Sequence, residues 1–287
     1  MTRIVLATSI AAGLLLAGCA GTAGTSDPSP APSRDTAVLE EAAALLPDDI
    51  ATSGALVVGT SPGPVPFTYR AGDDQVTGAD LDLTRELAER LGLQMQVETT
   101  DFEGVITGVA GGTFDVGASG IFNTEPRREV VDFVDYLRGG TQWAVPAGSK
   151  IDPARACGLR VLAITGSVQA KVDVPERSRS CTRKADPPLS LTEVTSSDEA
   201  SVLLLRGEAD AFIADAPVVA HLVGMSKGRI VTAGAAYDLQ TYGLVVSRDS
   251  PGLREALNLA LASMIRDGTY ARIMGKWGLE DGTISLG

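Results

Sequence analysis

Phe114–Leu137 reads F-D-V-G-A-S-G-I-F-N-T-E-P-R-R-E-V-V-D-F-V-D-Y-L. Its first residues, Phe114–Ser119, alternate apolar and small side chains, the pattern of a short buried strand. Small residues at the strand's exit let a ligand approach the backbone closely. Thr124 is a helix-capping residue type and Pro126 suits a first helical turn, so a helix is expected to begin there. Arg127 then stands just beyond a strand's carboxyl end, where open α/β sheets bind their ligands. A guanidinium at that point offers a planar fork of donors matched to a carboxylate. An arbitrary Arg pair such as Arg127 and Arg128 would be solvated surface charge; these surroundings favour a binding role for Arg127.

Outward from this stretch, strands and helices alternate. Leu56–Gly59 reads as a buried strand, followed by the turn-rich loop T-S-P-G-P-V-P-F-T-Y. In G-A-D-L-D-L-T-R-E-L-A-E-R-L-G, Leu81, Leu83, Leu87, Ala88 and Leu91 fall on one helical face and Gly92 is a C-terminal stop. Met95–Glu98 reads as a strand and Asp101–Ala110 as a helix. This spacing implies βαβ units and a mainly parallel sheet. A similar series follows: strand Leu159–Ile164, turn Thr165–Gln169, helix Asp198–Leu205, strand Ala211–Ala214. Gly112-Thr113-Phe114-Asp115 is echoed by Gly207-Glu208-Ala209-Asp210. An offset of about a hundred residues is too long for a solenoid repeat and fits two lobes of one plan. Strand-like runs, Thr141–Ala147 and Thr241–Ser247, follow the two halves. Leu253–Gly275 has a helical pattern, within which D-G-T-Y (Asp267–Tyr270) turns into a last short helix ending in K-W at Trp277.

These landmarks, in this order over roughly Leu56–Leu279, resemble the family 3 solute-binding proteins, the polar amino-acid receptors of bacterial uptake systems. Ser119, Gly120, Thr124, Glu125, Pro126 and Arg127 fit that family's ligand-carboxylate motif, and Asp132-Phe133 its crossing into a second lobe. Gly78, Asp80 and Asp82 and the C-terminal D-G-T-Y…K-W fit two further hallmarks, the latter expected to pack on the first lobe. The resemblance implies a two-lobed periplasmic-binding-protein-like fold (type II), α/β, with a mainly parallel sheet in each lobe and two hinge crossings. Lobe one would be 55–140 plus 242–287 and lobe two 141–241. It further implies that Arg127 holds the ligand's α-carboxylate and that Asp215 receives its α-ammonium. Read from the residues alone, Asp215 is equally an N-cap for the helix at Pro217. Ser167 and Val168, after Gly166, stand where the family offers donors at a helix N-terminus, a natural carboxylate site.

The sequence departs from the family pattern at three points. Pro64 stands for the usual stacking aromatic, although Phe67 is kept. Phe122 replaces a usual Thr or Ser, and either lines the pocket or packs inside lobe one. Val168 replaces a second hydroxyl. Trp143, beside the first hinge, is expected in the interior.

The chain has 287 residues, 44% hydrophobic and 21% charged, enough for two lobes with their own cores. A net charge of −12 argues against nucleic acid as a partner. The single histidine argues against a His-rich metal site or a Ser-His-Asp triad. No cofactor or metal is called for. Arg3 and the apolar run Ile4–Leu16 form a secretory signal, 1–18, and Leu16-Ala17-Gly18-Cys19 resembles the lipobox of bacterial lipoproteins. That implies lipidation of Cys19 and anchoring on the outer face of the cell membrane. Residues 19–36 hold this Cys and a small, polar, proline-rich tether with a reach on the order of 20–25 Å. Residues 37–54 form an appendage, helical over Ala37–Leu46. Outside the cytoplasm, Cys157 and Cys181 are expected to pair, as a structural and not a redox bridge.

The expected function is capture of a small amino acid or related zwitterion by a monomeric lipoprotein that delivers it to an ABC-type permease. Alternatives are a sensory receptor for a membrane partner and an enzyme resembling cyclohexadienyl dehydratase. The enzyme would need a general acid or base, for which Glu125 is the one nearby carboxylate.

Overall fold

A computed structural model describes residues 39–286. The expected signal segment, Cys19 and the tether lie outside the described residues. The chain enters through two short helices, α1 (Glu40–Ala43) and α2 (Asp48–Ser53). The single helix expected over Ala37–Leu46 is only one turn long within the described residues. Pro47 both stops it and precedes a second helix, whose Asp48-Asp49 pair suits the positive end of a helix dipole.

Next come β1 (Ala55–Thr60), a two-stranded excursion of β2 (Tyr69–Arg70) and β3 (Val76–Thr77), then α3 (Ala79–Arg90), β4 (Gln94–Thr99) and α4 (Phe102–Ala110). The α3 leucines named from the sequence are all buried. α4 is capped by Asp101, whose side chain accepts from Gly104 N. β5 (Val116–Phe122), α5 (Glu125–Arg128) and β6 (Val131–Pro146) carry the decisive stretch. The second half supplies β7 (Arg160–Ile164), a wide π-type turn (Gln169–Asp173), α6 (Val174–Arg183), β8 (Ser190–Val194), α7 (Ser197–Leu205), β9 (Ala211–Asp215), α8 (Ala216–Met225) and β10 (Ile230–Ser247). α9 (Pro251–Arg266) and α10 (Thr269–Lys276) follow. Among the described residues no helix is long and apolar enough to cross a membrane.

The strand order β4-β1-β5-β10-β6-β9-β7-β8 reads as the same plan from either end. β1 pairs in parallel with β4 and β5, and β7 in parallel with β8 and β9. The echoed turns explain the likeness. Asp115 N donates to Val57 O at 2.9 Å, and Val57 N donates to the Asp115 carboxylate at 2.7 Å. Asp210 repeats both bonds with Arg160, each at 2.8 Å. In each half, then, an Asp clamps the first strand to the third.

The short hinge runs read from sequence are parts of two long antiparallel strands, β6 of 16 residues and β10 of 18. They join the two halves into one hydrogen-bonded order, and their register shifts between Ala233 and Gln240, opposite Gly139–Trp143. A side chain at Gly140 would put its Cβ 2.4 Å from the Tyr237 carbonyl oxygen, so the strands close only around a glycine there.

The tail packs on the first half. Tyr270 donates to Tyr136 O at 2.5 Å, and Trp277 Nε1 donates to the Asp82 carboxylate at 2.9 Å. Trp143 is fully buried in the second half, its Nε1 donating to Tyr237 at 2.9 Å.

Cys157 and Cys181 form a disulfide across a sequence separation of 24. With the double Cys157→Ser, Cys181→Ser variant, urea denaturation should show a loss of about 3 kcal/mol, the loop-closure value for this span. An unchanged midpoint would mean that the bridge does not constrain the unfolded chain.

Candidate functional site

β5 continues three residues beyond its expected end, to Phe122. At Gly120 the backbone is left-handed, φ +58°, and a Cβ would lie 2.8 Å from the Phe67 ring, which restricts the position to glycine. α5 is a single turn. Thr124 occupies its N-cap position, but its side chain makes no capping bond. Instead Arg127 Nη1 donates to the Phe122 carbonyl at 2.9 Å, and the guanidinium lies 5.1 Å from the Phe102 ring centroid. Burial pulls the Arg127 pKa down, while the charges of Asp215 and Glu103 push it back up.

On the second half, β9 ends at Asp215. Asp215 sits at the N-cap position of α8 without making a capping bond, and it lines the cavity described below. Its Oδ1 accepts from Gln169 Nε2 at 2.9 Å, and the same amide donates to Thr141 at 2.9 Å. Burial raises the Asp215 pKa to about 6, opposed by Gln169, by Tyr242 and by the Arg127 charge. The Tyr242 hydroxyl is buried and has no hydrogen-bond partner of good geometry among the described residues.

Pro64, Phe67, Ser119, Gly120, Phe122, Arg127, Ser167, Val168 and Asp215 all line one cavity of about 540 Å³. That volume lies within the ordinary range of small-molecule sites. Phe122 takes both of its anticipated roles. It borders the cavity and stacks on Tyr242 with 4.2 Å between centroids, while Phe67 packs on the same ring at 4.7 Å. Phe67 and Phe122 thus border the cavity, with the buried Tyr242 ring packed against both. Ser167 Oγ accepts from Ala170 N at 3.2 Å, capping the wide turn that leads into α6. A larger hollow of about 1030 Å³ lies beside the crossing strands, with Glu125 and Arg138 on its wall. Its lining includes neither Arg127 nor Asp215.

The chain matches the bacterial extracellular solute-binding proteins, family 3, over residues 56–280. It belongs to that family. A solute-binding role outside the cytoplasm follows, in a two-lobed fold with the cavity between lobes. The arginine-binding protein ArgT of Corynebacterium glutamicum is 36% identical over 246 residues, 85% of this chain and 81% of that one. The solved structure of an ancestral arginine-binding protein bound to arginine superposes with a TM-score of 0.67 at 27% identity, covering 78% of this chain and 98% of that one. Cyclohexadienyl dehydratase of Pseudomonas aeruginosa is 36% identical, but over only 94 residues, 32% of this chain and 35% of that one. The relatives matched along most of the chain are thus binding proteins.

Several lining residues escaped the sequence reading of this family 3 protein. Phe102 and Glu103 open α4, Gln169 and Lys171 sit in the wide turn, and Glu193 lies on β8. Lys171 and Glu103 form an ion pair between the two lobes. Only the Gly166-Ser167 turn hinted at Gln169, and nothing local foretold the ion pair.

An ammonium bound to Asp215 needs the carboxylate ionised. Because burial raises this group to about 6, ligand affinity should be level above neutrality and fall below pH 6, by up to about tenfold per unit. Calorimetric titration from about pH 8 to about pH 4.5 reads this directly, and a flat profile would remove Asp215 from the site.

Proposed function

We propose that this protein captures a free amino acid with a cationic side chain, arginine foremost, between its lobes and delivers it to an ABC-type permease. The observation that carries the reading is the pairing of Arg127 and Asp215 on opposite lobes of one cavity. A free amino acid presents a carboxylate and an ammonium on one carbon, so a cation and an anion on facing walls match it and favour closure. The side-chain preference rests on the remaining charges. Asp101, Glu103 and Glu193 border the cavity against one further cation, Lys171, which is paired with Glu103. The surplus is negative and suits a guanidinium or ammonium. The arginine-binding proteins among its relatives agree.

The protein acts without catalysis in this reading. Glu125, the carboxylate considered as a general base, is exposed on the wall of the larger hollow, outside the ligand cavity. We assign 55–140 plus 242–287 to lobe one, with 37–54 appended to it, and 141–241 to lobe two. The mature protein is a monomer, held on the outer face of the membrane through lipidated Cys19 and the tether.

In a melting-shift panel of the twenty amino acids, L-arginine and then L-lysine should give the largest shifts. Ligand at about a hundred times its dissociation constant adds ~2.7 kcal/mol. Arg127→Ala should abolish the shift while the protein still melts cooperatively, since losing one partner of a buried charge pair costs ~2–5 kcal/mol. A full response from that variant would exclude Arg127. For the anchor, Cys19→Ala should move the protein from the membrane fraction into the medium; retention on membranes would refute lipid attachment at this residue.

A further inference from the structure

Asp80, in the first turn of α3, is fully buried directly behind the cleft wall. Its Oδ2 accepts from Gly120 N at 2.6 Å, and its Oδ1 accepts from the Tyr136 hydroxyl at 2.5 Å. Its own amide donates to the Phe67 carbonyl at 3.3 Å, and the Phe67 ring packs on Gly120. Burial pushes its pKa up to about 6, with the two hydrogen bonds opposing, and no basic side chain contributes to the balance. A desolvated carboxylate without a counter-cation is a poor source of stability. Holding a peptide N–H is what this one accomplishes.

Gly120 is the peptide so held. It lies within β5 yet has no partner in either ladder, between Gly117, which pairs with β1, and Ile121, which pairs with β10. In an extended residue the N–H and C=O face the same side. A left-handed residue turns them apart, as in a helical turn. Gly120 lines the cavity, and its N–H is drawn inward to Asp80.

We propose that Asp80 is a positioning residue for the ligand's ammonium: it anchors the Gly120 peptide so that the Gly120 carbonyl accepts from that ammonium together with Asp215. The carboxylate also polarises the peptide, since a hydrogen bond to its N–H strengthens the carbonyl as an acceptor. The ligand-binding half of this proposal rests on the amino-acid reading above; the anchoring half does not.

The test compares Asp80→Ala, Asp80→Asn and Leu87→Ala, the last a buried residue of the same helix that does not itself line the cleft. Calorimetry measures binding of L-arginine and of its des-amino analogue, which keeps the carboxylate and guanidine but lacks the α-ammonium. Asp80→Ala should weaken L-arginine about tenfold or more, and Asp80→Asn by less, because its amide oxygen still accepts from Gly120. The analogue should change by less than about twofold in both. In ligand-free protein, the Gly120 amide proton should move upfield and exchange faster in Asp80→Ala. Leu87→Ala should lower the melting temperature and leave the ratio of the two affinities and the Gly120 resonance unchanged. Equal losses for both ligands, or an unmoved Gly120 resonance, would overturn the proposal. Should wild type bind another amino acid in place of arginine, only the arginine reading falls, and the affinity comparison is made with that amino acid and its des-amino form. Binding of no α-amino acid would overturn both.

Discussion

Arg127 and Asp215 face one cavity from opposite lobes, and burial works against the charge of each. Their mutual attraction offsets that penalty only in part, since Asp215 is still raised to about 6. A ligand with a carboxylate for one wall and an ammonium for the other relieves both charges, whereas a neutral solute of the same size relieves neither. On the proposed reading, selectivity for a zwitterion would arise from the desolvation of the protein's own groups. The fold must supply two facing walls that can close, and a hydrogen-bonded scaffold to hold each charge in place.

β6 and β10 provide the hinge. Each runs through both halves of the sheet, so the lobes share a continuous hydrogen-bonded connection. Regular pairing over that length would make the two halves one rigid plate. The broken register between Ala233 and Gln240, with Gly139 and Gly140 opposite, removes ladder bonds where bending must occur. Thr141, on β6 at this point, pairs with Asp215 in register and accepts from Gln169. The anion of the site is thereby tied to the strand about which the lobes turn.

The architecture was legible because its signals are local. Strand-helix alternation, Gly stops and the repeated G-x-x-D turn all lie within windows of a few residues, and the two Asp clamps show why that turn recurs. That Arg127 lines the cavity was legible from its place after a strand; that Asp215 does needed the family resemblance, because a cap and a cavity-lining carboxylate look alike in sequence. The length of α5 and the second N-terminal helix were left unspecified for a common reason: Pro marks a boundary without saying how far the helix continues. The length of β6 and β10 was hidden because pairing across the hinge is set by tertiary partners. The Gln169 lock on Asp215 and the Lys171–Glu103 pair join residues 46 and 68 positions apart, and no periodicity reports contacts of that range.

The Lys171–Glu103 pair also bears on what closes the cleft. Both side chains are more than half exposed, 54% and 69%. An exposed pair of this kind contributes ~1 kcal/mol or less and is screened by salt. Population of a closed form from a mostly open one needs several times that differential. The pair can therefore bias the lobes toward each other and set their register, but it cannot keep them shut. The larger contribution comes from the ligand, which contacts both walls only when they approach. Lys171 has a second effect. By neutralising Glu103 it lowers the negative charge of the cavity lining, leaving Asp101 and Glu193. For the cationic ligand proposed above, a weaker field there would let the bound side chain leave once the lobes part.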